Sequence, residues 1–216
     1  MTLRLPPNAG GIAEACRILA AGGLVAFPTE TVYGLGADAT RAEAAARIYA
    51  AKGRPSFNPL IAHVADLAAA EREGVFDGAA SRLARAFWPG PLTLLMTPQP
   101  SLAWDVAVDS PVAVRMPLHP VALALLARTG PMAMTSANLP GMPAPSDVDD
   151  ALEQLGDAVT VALDAGPLLS DGAGAPSTIV DVTGTVPVVV RIGAVSADDL
   201  RRVCPDVRTG LGNADA

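Results

Sequence analysis

The chain has 216 residues, a length that suits one large domain or two small ones, and half of them are hydrophobic while only 4% are aromatic, so any core is built from Ala, Val, Leu and Ile. A formal charge of −7 and an isoelectric point of about 4.7 argue against the basic surface that a nucleic-acid backbone requires, and favour a small ligand that needs only a local cluster of charge. Two cysteines, Cys16 and Cys204, make neither a disulfide framework nor a zinc site, and no apolar run reaches the length of a membrane span.

In chain order, the pattern predicts a helix over 11–21, closed by Gly22-Gly23, with Cys16 packed beside Ile12, Ala15 and Leu19. The opening Met-Thr-Leu-Arg-Leu-Pro-Pro lacks a long apolar stretch, so a cytoplasmic location is expected. Leu24–Phe27 reads as a buried strand ending at Pro28, and polar and apolar residues then alternate from Thr29 to Gly36. Thr40 and Glu43 form a capping-box pattern ahead of Ala44, Ala45, Ile48 and Tyr49, predicting a helix that ends at Lys52 and is stopped by Gly53 and Pro55. Strands are expected at Leu60–Val64, Leu92–Met96, Val112–Met116, Pro131–Met134 and Val159–Leu163. Helices are expected near 78–87, over 120–129 with Pro120 in the first turn, over 146–155 and over 196–203. A Gly-rich loop covers 166–177, and Thr183-Gly184-Thr185 joins two strands as a hairpin. Mixed strands and helices with at least one hairpin imply an α/β (α+β) fold with a mixed sheet. One domain is expected over residues 5–205, with a frayed tail at 206–216.

Two separated motifs carry the chemistry. Lys52-Gly53-Arg54-Pro55-Ser56-Phe57-Asn58-Pro59-Leu60 holds a lysine, an arginine and an amide close together between prolines. Thr135-Ser136-Ala137-Asn138 places two hydroxyls and an amide after an apolar run. Arginine presents a planar fork to paired phosphate oxygens and lysine a movable point charge, so a phosphorylated ligand fits. Each part also has an ordinary explanation. Lys52 could be a solvated helix end, and the Thr135–Asn138 run a cap or turn. His63 could be a core histidine satisfied by one hydrogen bond, and His119 the start of a helix. Arg115 interrupts the apolar run Val112–Val114, and an arginine buried there needs a partner: a structural ion pair, or a substrate carboxylate held by paired hydrogen bonds. The loop before Ser177-Thr178 lacks the lysine of a phosphate-binding loop. No metal-ligand cluster, nucleophile elbow or Ser-His-Asp order is evident, which points to positioning and electrostatics rather than a covalent intermediate.

Six segments occur in one order: Pro28-Thr29-Glu30-Thr31-Val32-Tyr33-Gly34-Leu35, the Lys52–Leu60 segment, Trp88-Pro89-Gly90-Pro91-Leu92-Thr93, Val114-Arg115-Met116-Pro117, Thr135–Asn138 and Ser177-Thr178-Ile179-Val180-Asp181. This combination resembles the YrdC/Sua5 family of L-threonylcarbamoyladenylate synthases, in its short single-domain form. The resemblance implies an open twisted sheet around a large concave site. It also implies a reaction in which L-threonine, bicarbonate and ATP give threonylcarbamoyl-AMP and pyrophosphate, with Mg²⁺ assisting. The product would pass to a tRNA threonylcarbamoyl transferase that makes N6-threonylcarbamoyladenosine at position 37.

By the same resemblance, Thr31, His63, Arg115 and Ser177 fall at threonine-contacting positions. Lys52, Arg54, Asn58, Ser136, Asn138 and Arg191 fall at ATP-holding positions, with Lys52 and Arg54 also acting on the charge that develops at the phosphates. The chain departs from the family pattern at Pro111, at Leu139, at Ala144 and at Ile192. A non-catalytic RNA-binding relative of the same fold is the alternative, which the acidic composition disfavours.

Overall fold

A computed structural model describes residues 1–54, 59–99, 110–168 and 175–210. The strands are β1 (Leu3–Leu5), β2 (Val25–Pro28), β3 (Tyr33–Asp38), β4 (Ile61–His63), β5 (Leu92–Met96), β6 (Val112–Arg115), β7 (Met132–Ser136), β8 (Val161–Leu163), β9 (Thr178–Asp181), β10 (Val188–Arg191) and β11 (Arg208–Thr209). The helices are α1 (Ala9–Ala20), α2 (Ala42–Lys52), α3 (Leu67–Glu73), α4 (Gly78–Phe87), α5 (Pro120–Thr129), α6 (Val148–Leu155) and α7 (Ala197–Val203). Among the described residues the strands form one mixed sheet in the order β1-β8-β2-β3-β7-β4-β6-β5-β9-β10-β11. The expected α/β (α+β) class is therefore the observed one.

Period-two alternation along the strands sorts the core into layers. On the half of the sheet built around β2, β3 and β7, Val25, Phe27, Met132 and Met134 meet Leu19 of α1 and Leu125 of α5. The intervening Ala26 and Ala133 face the other way, onto Ile48 of α2 and Ala151 of α6. On the other half, Leu92, Leu94 and Met96 of β5 and Val112 and Val114 of β6 pack under α3, α4 and α7. Each such fully buried aliphatic side chain contributes roughly 1.5–3 kcal/mol. Among the described residues, no helical layer of that kind lies above the alternate residues of this second half.

Several details differ from expectation. Thr40 does not cap α2; its amide and hydroxyl are held by Asp38 Oδ1 at 2.9 and 2.6 Å, a local turn that competes with the capping box. Helix α3 was not anticipated: it starts where Asp66 accepts from the Ala69 amide at 2.7 Å. Thr135 and Ser136 end strand β7 rather than forming a turn, and His119 caps α5 through a 3.3 Å bond from the Val121 amide. Within the segment expected to fray, Val207 is buried and Arg208–Thr209 pairs with β10; residues 211–216 lie outside the described residues. Among the described residues no helix is long and apolar enough to cross a membrane.

Candidate active site

The uncovered alternate residues of the second half-sheet form the floor of a cavity of about 460 Å³. Residues paired across a ladder share a face. Met134 pairs with Ile61, Ile61 with Ala113, and Ala113 with Leu95, which gives an apolar row. One step along, His63 pairs with Arg115. Farther across, Ile179 pairs with Arg191. All of these line the cavity.

Strand β10 carries an extra residue. Val189 pairs with Val180 and Arg191 with Ile179, so Val190 is bulged and both Val190 and Arg191 reach the cavity. Bulges re-aim side chains in this way.

Arg115 is 4% exposed. Its Nη2 donates to Glu30 Oε1 at 2.7 Å and to Thr31 Oγ1 at 2.9 Å, and its Nε to the Gly90 carbonyl at 3.3 Å. Removing one partner from a buried ion pair of this kind costs about 3–5 kcal/mol. The expected fork for a carboxylate is thus half occupied already, and among the described residues Nη1 has no acceptor. Glu30 was not singled out in the sequence; its place between two threonines in an otherwise buried turn was the available signal.

His63 is 3% exposed, and its Nε2 is a buried polar atom without a hydrogen-bond partner among the described residues. Nδ1 lies 3.1 Å from the Ile61 carbonyl, which must accept, so Nδ1 carries the proton and Nε2 is a bare acceptor. Burial, and then the charge of Arg115, pull its pKa down to about 3. The ring is therefore neutral at ordinary pH.

Ser177 also lines the cavity. Its Oγ pairs with Thr93 Oγ1 at 2.8 Å, a fully buried hydroxyl that sequence reasoning missed inside an apolar strand. Arg191 donates from Nε and Nη2 to the Ser177 carbonyl at 3.1 and 2.8 Å, and from Nη2 to its Oγ at 3.2 Å. Gly193 allows this approach, because a Cβ there would sit 2.0 Å from the Pro176 carbonyl oxygen.

The two motifs of the sequence do meet. Gly53 takes a left-handed conformation with φ of 57°, ending α2 and turning Arg54 back over β7. Arg54 donates to Thr135 Oγ1 at 3.4 Å and to the Pro59 carbonyl at 3.2 Å. Lys52 is 3% exposed and donates to the Ser136 and Asn138 carbonyls, with Asn138 Oδ1 at 3.4 Å. Burial, with the neighbouring Arg54 charge, lowers its pKa to about 8. Arg54, Ser136 and Asn138 line the cavity, whereas the Lys52 ammonium lies beneath the Ser136–Asn138 segment. Asn138 also ties its own loop, donating from Nδ2 to Met142 O at 2.7 Å. Asn58 lies outside the described residues. Of the departures from the family pattern, Ala144 lines the cavity while Leu139 and Ile192 are surface-exposed nearby.

Arg54, Arg115 and Arg191 thus converge on one cavity. Burial lowers the Arg191 pKa first, and the charges of Arg115 and Arg54 lower it further. The arrangement suits a ligand with several anionic oxygens beside a smaller polar group facing His63. Among the described residues no three His, Cys, Asp or Glu side chains are grouped to hold a metal ion.

The Sua5–YciO–YrdC family profile, described as "Telomere recombination", matches residues 17–193. A Mycobacterium tuberculosis protein is 47% identical over 196 residues, spanning 89% of this chain and 88% of that protein. The threonylcarbamoyl-AMP synthase of Bacillus subtilis is 40% identical over 219 residues, spanning 100% of this chain and 62% of that enzyme. Pyrococcus abyssi Sua5 complexed with L-threonine superposes with a TM-score of 0.85 at 35% identity, covering 97% of this chain and 62% of that one. The chain therefore spans less than two thirds of the Bacillus and Pyrococcus proteins.

Proposed function

The chain belongs to the Sua5–YciO–YrdC family, and on that footing we propose that it is a threonylcarbamoyl-AMP synthase using L-threonine, bicarbonate and ATP. The observation that carries this reading is the convergence of Arg54, Arg115 and Arg191 on one cavity in a chain of net charge −7. The threonine amine attacks the carbon of bicarbonate and water leaves, giving a carbamate; a carbamate oxygen then attacks the α-phosphate, breaking its bond to the β-phosphate, and pyrophosphate leaves.

The polar requirements of these species match the cavity in two halves. Arg115 Nη1 takes the threonine carboxylate, and Thr31 and Ser177 flank it. His63 Nε2 accepts from the threonine hydroxyl, a donor that satisfies its one open position. Arg54, Ser136, Asn138 and Arg191, with Asn58, hold ATP. Arg54 and Arg191 offset charge on the phosphoryl oxygens, as fixed cations do in phosphoryl transfer. Lys52 acts on the same charge from beneath, by holding the Ser136–Asn138 segment in place. Mg²⁺ would be held by the phosphates of ATP rather than by the cavity, whose charged lining residues among those described are arginines, and it would offset charge on the leaving pyrophosphate. The product is a labile mixed anhydride, handed to an enzyme that transfers threonylcarbamoyl to tRNA.

Pyrophosphate release with threonine, bicarbonate or ATP omitted in turn tests this reading. Release should require all three. Release that persists without threonine would refute it.

A further inference from the structure

We infer that Glu30 is a positioning residue for Arg115, setting the plane of the guanidinium that receives the amino-acid carboxylate. The inference rests on the threonine-site reading above and extends it to a residue that does not itself need to touch the ligand.

Glu30 sits in the turn between β2 and β3. Thr29 Oγ1 holds that turn, donating to the Val32 carbonyl at 2.7 Å and accepting from the Thr31 and Val32 amides at 3.2 Å each. The turn sends Thr31 and Glu30 to the same guanidinium, 84 and 85 residues away in sequence. The Glu30 carboxylate bridges two places at once. Oε1 meets Arg115 Nη2 at 2.7 Å, and Oε2 accepts from the Leu118 amide at 2.9 Å, in the connection that leads from β6 to α5. One carboxylate therefore ties the side chain of Arg115 and the backbone three residues after it to the same turn.

A guanidinium is planar, so fixing two of its nitrogens fixes the third. Glu30, Thr31 and the Gly90 carbonyl take Nη2 and Nε. Nη1 is then delivered to the cavity in a single orientation. Without Glu30, Nη2 would keep a neutral hydroxyl partner only, and the buried charge of Arg115 would be drawn toward the anionic ligand in more than one geometry. The result would be weaker and less selective capture of the carboxylate rather than a damaged nucleotide site.

The experiment is a double-mutant cycle read by threonine binding calorimetry and by KM for each substrate. Glu30→Ala should weaken threonine binding and raise its KM about tenfold to a hundredfold, the range found when a partner that orients a metal ligand is removed. KM for ATP should change less than about twofold, as for an independent site. Adding Glu30→Ala to Arg115→Ala should cost nothing further, because the group it orients is gone. Glu30→Gln should recover part of the loss, since its amide oxygen can still accept from Nη2. If Glu30→Ala does not fold, Glu30→Gln carries the same cycle with a smaller fold-change. Independent, multiplicative losses in the double variant would overturn the inference, as would parallel rises in both KM values with a fall in thermal midpoint. A wild-type protein that does not bind threonine would remove the functional reading and this inference together; wild-type binding with multiplicative losses would remove this inference alone.

Discussion

His63 and Arg115 are register partners on the neighbouring parallel strands β4 and β6, with both side chains on the cavity floor. The pairing gives each a distinct office. Burial first, and then the permanent charge of Arg115, keep His63 neutral, and the neutral ring leaves an acceptor next to a cation. An α-amino acid bearing a side-chain hydroxyl matches this pair: an anion for Arg115 and a donor for His63.

That pairing predicts how threonine is told from valine, its near-isostere. Valine would bury Nε2 of His63 without a donor, at a cost of about 1–3 kcal/mol. Wild-type kcat/KM should favour threonine by about tenfold to a hundredfold on this account. In His63→Leu the preference should collapse, through loss of threonine activity more than gain of valine activity. Unchanged discrimination in that variant would show that another residue reads the hydroxyl.

Protonation of His63 is also a stability term. Below pH 6.5 the unfolded chain binds a proton at this ring that the folded protein refuses until about pH 3. Stability contributed by the neutral ring is complete above pH 6.5 and is lost as pH falls through that window, by up to about 1.4 kcal/mol per pH unit. Urea unfolding between pH 7 and 4.5 should fall more steeply for wild type than for His63→Gln. Parallel curves would mean that His63 titrates in the folded state.

Arg54 and Lys52 should fail in different ways. Arg54→Ala removes a cavity-lining charge and should lower pyrophosphate release at least about tenfold with a near-wild-type melting temperature. Lys52→Ala should lower turnover similarly but also lower the melting temperature, because the Ser136 and Asn138 carbonyls lose their shared donor. Equal melting temperatures would show that the Lys52 contacts do not support the fold.

Gly193→Ala should report on the Ser177 wall. The new Cβ would meet backbone at Pro176 and Ser177, at 2.0 Å from the nearer carbonyl oxygen, so the strand entry must move. A cost of about 1–3 kcal/mol is expected, with a raised KM for threonine. Loss of stability without any change in KM would separate Ser177 from the substrate site.

Much of the fold was legible where local signals agree. Strand β5 and helix α5 were expected at their observed limits, because an apolar run interrupted only by Thr93 and a Pro120–Gly130 frame have few other outcomes. Helix α3 was not, since seven residues rich in alanine offer too little periodicity to read. In the site, residue types were legible and partnerships were not. Nothing near Arg115 in sequence points to Glu30, 85 residues before it. Lys52 is expected from its charge to act at phosphates, and the main-chain carbonyls it also meets are acceptors that no sequence displays. The bulge at Val190 is likewise a property of pairing rather than of the apolar run that contains it.

Three guanidiniums around one cavity set the protein's own cohesion against its task. Empty, the site carries mutual repulsion that the surrounding packing must withstand; filled with an anion, the same charges become attraction. Ligand binding therefore counts twice, once as contact and once as relief, and it shifts the folding equilibrium by mass action. Arg115 is tied into the fold against this repulsion by its buried ion pair with Glu30.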